Sequence, residues 1–337
     1  MHMPDGILPI NQAAIYLAIS GIIILIAVWQ SRKSITMKQI PMLGVLAAAL
    51  FAAQLYNVPI SFGSSGHLIG TALVTTIMGP WSAILVMSSI LMIQMMFGDG
   101  GILAFGVNVL NMAIIAAFTT FIIFYFLPKK WRENKRLFSV VAGIAGFISV
   151  LLISIFASVE LIIAQAGSAK LIFSWMVGLH AIIGCIEAAI TFAIVFFLFR
   201  ADPSIFESSK RSLYNQPIIE ENLEPEYKFP IWAAVTSVGV FVFMSLYGII
   251  VPLIGGDNPD GLERTFDELV KEGSGLTIID NSLLGFPDGL GWEILQLAII
   301  MTILFLLMIG ISYIVYKLKS KKFHKIKEIK SSDENLS

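Results

Sequence analysis

Six long runs without a charged side chain constrain this 337-residue chain more than any other feature of its sequence. They cover 6–31, 39–98, 100–128, 137–159, 229–256 and 294–316. Each is long enough to cross the ~30 Å hydrocarbon core of a bilayer, which takes about 20 residues of helix. Charged residues make up 13% of the chain, about half of their share in soluble domains. The sequence therefore predicts an all-α polytopic membrane protein.

The apolar runs divide into nine predicted spans. Their boundaries are 11–30, 40–57, 66–79, 81–97, 102–127, 137–160, 171–199, 230–252 and 292–316. The stretch 66–97 is divided at Gly79-Pro80 because proline cannot donate a backbone hydrogen bond inside a helix. This division also places nineteen of the 22 Lys and Arg residues on one side of the membrane. Since basic loops mark the cytoplasmic side, we predict an outer N-terminus and a cytoplasmic C-terminus in the plasma membrane of a prokaryote.

Three parts follow one another along the predicted chain. Residues 1–200 form a seven-span unit, 201–229 a cytoplasmic linker rich in Glu, Ser, Asn and Pro, and 230–337 a two-span unit. The last two spans flank an acidic external loop at 253–291, which we expect to gather cations or help deliver them to the seven-span unit. The single cysteine, Cys185, excludes a disulfide framework and a thiolate-cluster metal site. No segment has the charge pattern of a nucleic-acid-binding surface.

The first six residues, Met-His-Met-Pro-Asp-Gly, contain the atoms of a metal chelate. The α-amine of Met1, the backbone nitrogen of His2 and the His2 Nδ1 can close a five- and a six-membered ring around one ion. A planar set of nitrogen ligands suits Ni²⁺ or Cu²⁺, and binding must displace protons from those nitrogens. If the turn at 4–6 directs the terminus inward, His67 can supply a fourth nitrogen. The alternative is that His2 belongs to a disordered terminus and that His67 is a lone surface histidine.

Five further polar residues lie in or near the predicted spans and are candidates to surround the site or line a cavity. They are Asp99, Asn108, Asn111, His180 and Glu187. Ionisable side chains at membrane depth are costly and indicate function by default. Structural roles are the alternatives, since Asp99 can cap a helix and the others can form hydrogen bonds between helices.

A stripe of small residues on span two allows another helix to approach closely. It consists of Gly44, Ala48 and Ala52. The approaching helix belongs either to this chain or to a partner subunit. No P-loop motif is present, so the chain does not hydrolyse a nucleotide through one.

In combination, several of these stretches resemble the substrate-binding M component of cobalt and nickel energy-coupling-factor transporters. The matching segments are 1–6, 64–70, 79–81, 97–101, 108–112 and 180–187. The C-terminal part resembles the small N component, and its Pro-Asp-Gly-Leu-Glu at 259–263 matches the motif that names that domain. A fusion of the two components is more typical of the nickel branch.

The resemblance implies a capture subunit that binds Ni²⁺ or Co²⁺ as its substrate, with nickel favoured over cobalt. It implies that the Met1 amine, the His2 amide and imidazole, and His67 hold the metal. Its partners would be a transmembrane coupling subunit, contacted by the small-residue stripe, and two cytoplasmic ATPases, so the chain itself would not be an enzyme. Two other functions stay open: a stand-alone metal channel or secondary permease, and a membrane enzyme with Glu187 and His180 as acid and base.

Overall fold

A computed structural model of the chain describes residues 2–35, 39–55, 58–59, 65–96, 99–206, 209–210, 212 and 261–271. The described residues are almost entirely helical, and the chain is an all-α polytopic membrane protein. Met1 and the predicted spans 230–252 and 292–316 lie outside the described residues.

The helices of the first 200 residues follow the predicted spans. Their bounds are α1 Ile10–Ser34, α2 Ile40–Leu55, α3 Thr71–Met78, α4 Pro80–Met96, α5 Phe105–Asn108, α6 Ala116–Tyr125, α7 Lys129–Glu133, α8 Lys135–Ile163 and α9 Ala169–Ala201. A π-helical segment, Val109–Ile115, joins α5 and α6 into one rod. Within the described residues, this rod and the helices α1, α8 and α9 are long and apolar enough to cross a bilayer, while α2 and α4 are shorter apolar helices.

Two short strands connect α2 with the centre of the bundle. β1 (Val58–Pro59) and β2 (Ser65–Gly66) pair in antiparallel fashion, with Val58 opposite Gly66. The pairing returns the chain to the bundle immediately before His67.

α3 is a short central helix, and all eight of its residues are buried. Gly70 precedes it with a φ of 78° and Gly79 follows it with a φ of 85°; only glycine adopts such angles readily. Pro80 then begins α4, which confirms the predicted break at Gly79-Pro80. The span predicted over 66–79 is not one continuous helix. Eight helical residues rise only about 12 Å, and the non-helical residues 67–70 lead into them.

α8 and α9 form a long antiparallel hairpin that closes on small residues. A side chain at Gly143 of α8 would collide with the carbonyl of Ala188 in α9, and one at Gly184 of α9 would press against Phe147 of α8. Small residues let membrane helices approach closely enough for dispersion contacts to hold them together. This close packing fixes the position of α9 relative to α8, and with it the positions of the polar side chains that α9 carries.

A further helix, α10 (Gly261–Lys271), lies within the predicted external loop and packs against α9. Its apolar side chains Leu262, Phe266 and Leu269 recur at helical spacing and are buried. Its charged side chains pair with one another, as between Arg264 and Glu268 at 3.2 Å. The described part of the loop is therefore an amphipathic helix attached to the seven-span unit.

α1 lies at the edge of the bundle and is fastened to α5 at Gly106. A side chain at this position would collide with the backbone of Leu17 in α1. The Ser20 hydroxyl of α1 also donates a hydrogen bond to the Gly106 carbonyl at 2.7 Å. The absence of a side chain at one residue thus sets how closely α1 approaches the rod.

Gly106→Ala is expected to lower the melting temperature of the purified protein, through a loss of about 1–3 kcal/mol that is usual for overpacking. The added methyl group meets backbone atoms, so α1 as a whole must shift. Gly21→Ala is the matched control, because a Cβ at Gly21 has no atom within 4 Å. Equal melting temperatures of the two variants would contradict the expectation.

Candidate metal centre

Residues 2–5 run into the bundle, and three of their four side chains are buried there. His2, Met3 and Asp5 are each more than nine-tenths buried. Asn108 holds the segment by its backbone, since its Oδ1 accepts the Met3 N–H at 2.7 Å and its Nδ2 donates to the Met3 carbonyl at 3.1 Å. The N–H of Gly101 donates to the same carbonyl at 3.0 Å. Because backbone polar groups need partners where water is absent, these bonds allow the segment to be buried.

The carboxylate of Asp5 anchors the same segment to the start of α5. It accepts hydrogen bonds from the backbone N–H groups of Ile102 at 2.9 Å, Leu103 at 2.8 Å and Ala104 at 3.0 Å. A carboxylate at a helix start satisfies N–H groups that have no partner within the helix and interacts favourably with the helix dipole. A side chain at Gly101 would collide with this carboxylate, so glycine leaves the space for it.

The two histidines predicted to bind metal come together in the structure. The imidazole rings of His2 and His67 are stacked, with centroids 5.1 Å apart and planes inclined by 14°, and both residues are buried. Metal–imidazole bonds are about 2 Å long, so both rings are within reach of one cation. A metal lies in the plane of each imidazole that binds it. The nearly parallel rings must therefore rotate about their side-chain bonds to share an ion.

Asp99 lies beside this pair. Its Oδ1 is 2.9 Å from the Nδ1 of His2, while the His2 Nε2 is buried and has no hydrogen-bond partner among the described residues. Chelation through Nδ1, as the sequence predicts, therefore requires the Asp99 hydrogen bond to break. The side chain that bonds the backbone N–H groups just before α5 is Asp5, while Asp99 contacts His2.

The charge of Asp99 is favoured by its neighbours. Desolvation raises the pKa of the Asp99 carboxyl. His2 and His67 act in the opposite direction, and the net result is a lowered pKa of about 2. The side chain is 44% exposed, so solvent weakens each of these effects, yet the carboxyl stays ionised at neutral pH. A negative charge next to two imidazoles favours the binding of a cation.

Glu187 supports the stretch that carries His67. Near the middle of α9, its two carboxylate oxygens accept the backbone N–H groups of Ile69 at 2.8 Å and Gly70 at 2.9 Å. Glu187 is itself buried. Residues 67–70 therefore reach deep into the bundle, and Glu187 provides partners for their backbone.

Two glutamines complete the support of this stretch. Gln54 of α2 donates to the Ile69 carbonyl at 2.7 Å. Gln94 of α4 donates in turn to the side-chain oxygen of Gln54 at 3.0 Å. Three helices thus hold a non-helical stretch of backbone that would lack water in this position.

Asn111 and His180 each form a buried hydrogen bond. The Asn111 amide donates to a carboxylate oxygen of Glu160 in α8 at 2.6 Å. The His180 Nδ1 lies 2.6 Å from the carbonyl of Met176, one turn earlier in α9. The Asn111 bond joins two helices, which is the alternative that the sequence left open, whereas the His180 bond stays within its own helix.

The small-residue stripe of α2 is partly covered within the chain. Gly44 and Ala52 are buried, and Ala48 is half-buried. α2 packs against α4. Contact of the stripe with a partner subunit stays a prediction.

Sequence reasoning missed four polar side chains that shape this region. They are Asp5, Gln54, Gln94 and Glu160. The two glutamines interrupt apolar runs, a signal that could have revealed them. Asp5 gave no signal because aspartate is common in a turn such as 4–6. Glu160 gave none because it adjoins the end of an apolar run, where charged residues are common.

No group of three or more His, Cys, Asp or Glu side chains in the described parts of the chain is arranged to hold a metal ion. The predicted ligand set does not need such a group, because it combines two imidazoles with main-chain nitrogens. The Met1 amine lies outside the described residues. The complete set of ligands therefore stays a prediction.

The described residues form an all-α membrane bundle with two buried histidines stacked in its interior, an arrangement that suits a membrane protein that handles a transition-metal cation. Residues 2–205 match the CbiM family, described as the cobalt uptake substrate-specific transmembrane region. This match covers more than half of the chain, and the chain belongs to that family. It is a metal transport component of the CbiM type.

Relatives and a solved structure agree with this family. A relative from Archaeoglobus fulgidus, whose name describes a fused nickel transport protein NikMN, is 35% identical over 210 residues, which cover 61% of this chain and 68% of the relative. A relative from Haloquadratum walsbyi, named for metal transport, is 34% identical over 63% of this chain and 98% of its own length. The crystal structure of a truncated transition metal transporter superposes with a TM-score of 0.54 at 30% identity, covering 60% of this chain and 99% of that one.

Asp5→Asn is expected to weaken the binding of Ni²⁺ by roughly 10–100-fold, the usual effect of residues that orient metal ligands. The amide keeps the shape of the carboxylate but turns an N–H group toward backbone N–H groups, so residues 2–5 lose part of their anchor. Calorimetric titration of the purified protein measures the change. Asp202→Asn is the control, because the exposed Asp202 accepts the N–H of Ser204 at 2.9 Å beyond the end of α9. An unchanged affinity in Asp5→Asn would refute this role.

Proposed function

We propose that this chain is the substrate-capture subunit of an energy-coupling-factor importer for Ni²⁺ or Co²⁺, with nickel favoured. It binds the metal on the extracytoplasmic side of the plasma membrane, and partner subunits drive uptake with ATP. The observation that carries the proposal is the burial of His2 against His67, with ring centroids 5.1 Å apart. The fused nickel transport relative supports the preference for nickel.

The proposed ligands are the Met1 amine, the backbone nitrogen and Nδ1 of His2, and the imidazole of His67. The His67 Nδ1 lies 3.2 Å from the Leu68 carbonyl, which can only accept, so the neutral ring carries its lone pair on Nε2. In most metal-binding histidines, the ring nitrogen that does not bind the metal donates a hydrogen bond of this kind, and that bond orients the ring. When His2 gives up its bond to Asp99, the carboxylate remains nearby and offsets part of the charge of the ion.

We also propose that the chain is organised as a capture unit at 1–200, a cytoplasmic linker at 201–229 and a two-span unit at 230–337. The position of α10 supports this organisation. A side chain at Gly167, in the loop between α8 and α9, would collide with Leu269 of α10. Glu160, close to that loop, bonds Asn111, one turn from the Asn108 that holds Met3. Among the described residues of the C-terminal part, α10 packs at the end of the bundle where the N-terminal segment enters.

The partners of the proposed importer are a transmembrane coupling subunit and two cytoplasmic ATPases. The small-residue stripe of α2, defined by Gly44, Ala48 and Ala52, is the proposed contact with the coupling subunit. Because Gly44 and Ala52 are buried within this chain, the half-buried Ala48 is the member of the stripe that a partner can reach directly.

Ni²⁺ titration of the purified full-length protein tests the ligand set. His2→Ala, His67→Ala and an N-terminal extension that converts the Met1 amine into an amide should each reduce affinity by more than the roughly 10–100-fold cost of an orienting residue. His324→Ala is the control, because it removes a histidine that is neither a proposed ligand nor a candidate to surround the site. Wild-type affinity in the extended protein would remove the terminal amine from the site.

Uptake into lipid vesicles tests the transport class. The chain reconstituted with the coupling subunit and both ATPases should accumulate Ni²⁺ against its gradient when ATP is supplied. The matched control contains ATPases that cannot hydrolyse ATP. Entry of Ni²⁺ into vesicles that hold the chain alone, without ATP or partners, would instead indicate a stand-alone channel or secondary permease.

A further inference from the structure

The carboxylate of Glu187 occupies an unusual position for an ionisable group. It is buried near the middle of a long membrane helix, where such groups are costly and seldom occur without function. Both of its oxygens accept backbone N–H groups, from Ile69 and Gly70. These two residues follow His67 almost directly, so the carboxylate acts on the stretch of chain that presents the imidazole.

One peptide group connects Glu187 with His67. The Leu68 carbonyl and the Ile69 N–H belong to the same planar unit and point in opposite directions. The carbonyl lies 3.2 Å from the His67 Nδ1, and the N–H donates to Glu187 at 2.8 Å. A rotation of this peptide group would break both bonds together, so the carboxylate fixes the partner that orients the imidazole.

The next peptide group is held in the same way. Its N–H, from Gly70, donates to the other oxygen of Glu187 at 2.9 Å. Its carbonyl, from Ile69, accepts a hydrogen bond from Gln54 at 2.7 Å. Two consecutive peptide groups are thus fixed at both ends, and His67 has little freedom to turn away with its backbone.

We propose that Glu187 is a positioning residue for the metal site, acting on His67 through the peptide group between Leu68 and Ile69. This inference rests on the proposed role of His67 as a ligand. Carboxylates commonly orient metal-binding histidines by direct contact; here a peptide group stands between the two side chains. Gln54 completes the arrangement from α2.

Asp202 provides a comparison within the same chain. It is an exposed carboxylate just beyond the end of α9, and it accepts the backbone N–H of Ser204 at 2.9 Å. Asp202→Asn therefore removes a carboxylate that bonds a backbone N–H without altering the support of His67.

The test is a double-mutant cycle of Ni²⁺ affinity in the purified full-length protein. It compares the wild type, Glu187→Gln, His67→Ala and the combined variant, with Asp202→Asn as control. Glutamine offers one acceptor and one donor, so one of the two N–H groups loses its partner. We expect Glu187→Gln to weaken binding by roughly 10–100-fold and to add no further loss once His67 is alanine. The visible absorption of bound nickel should shift toward that of His67→Ala.

Melting curves of the metal-free variants separate a loss of fold from a loss of positioning. If Glu187→Gln does not fold, Glu187→Asp takes its place in the cycle, because its shorter side chain cannot reach both N–H groups. Wild-type affinity in the folded variant, or an equal loss with and without His67, would overturn the positioning role. Wild-type affinity in His67→Ala would instead overturn the proposed ligand, which distinguishes the failure of the proposed function from the failure of this inference.

Discussion

The structure depends on hydrogen bonds to backbone that lies inside a membrane bundle without being helical. In the absence of water, each N–H and carbonyl of such backbone needs a protein partner. Asn108 and Asp5 provide partners for the N-terminal segment. Glu187 and Gln54 provide them for residues 67–70. The histidine pair forms because these two irregular stretches are satisfied at neighbouring positions.

The same hydrogen bonds influence which cation the site suits. The carboxylates of Asp5 and Glu187 accept five backbone N–H groups between them, so their oxygens are engaged. Among the described residues, Asp99 contacts His2 of the pair at 2.9 Å. Hard cations such as Mg²⁺ and Ca²⁺ seek several oxygen ligands, whereas imidazole and main-chain nitrogens suit nickel and cobalt. Because Asp5 and Glu187 already bond backbone N–H groups, their oxygens are less available as ligands for a hard cation. The proposed site therefore favours a transition metal.

Hydropathy was sufficient to predict the long apolar helices of the first 200 residues, because a bilayer imposes the length of each apolar run. The proline and the distribution of basic residues located the break at Gly79-Pro80, where a positive φ and a proline act together. The pattern could not show that residues 67–70 are non-helical, since they are as apolar as a span. The histidines were identifiable from their chemistry. Asn108 and Glu187 were identifiable as polar residues in the spans. Asp5 and Gln54 were not, because their partners are backbone groups distant in sequence.

The N-terminal segment and α1 are attached to the same short part of the chain, residues 102–106. Asp5 is bonded to residues 102–104, and Leu17 meets the rod at Gly106, only two residues further on. The intervening stretch of chain is consequently tethered at both ends to one short piece of the molecule. Withdrawal of His2 to let a cargo ion leave would then carry the first turn of the rod along with it. Binding and release of the ion would then involve a joint movement of the N-terminal segment and the rod. The N-terminal segment would not move alone.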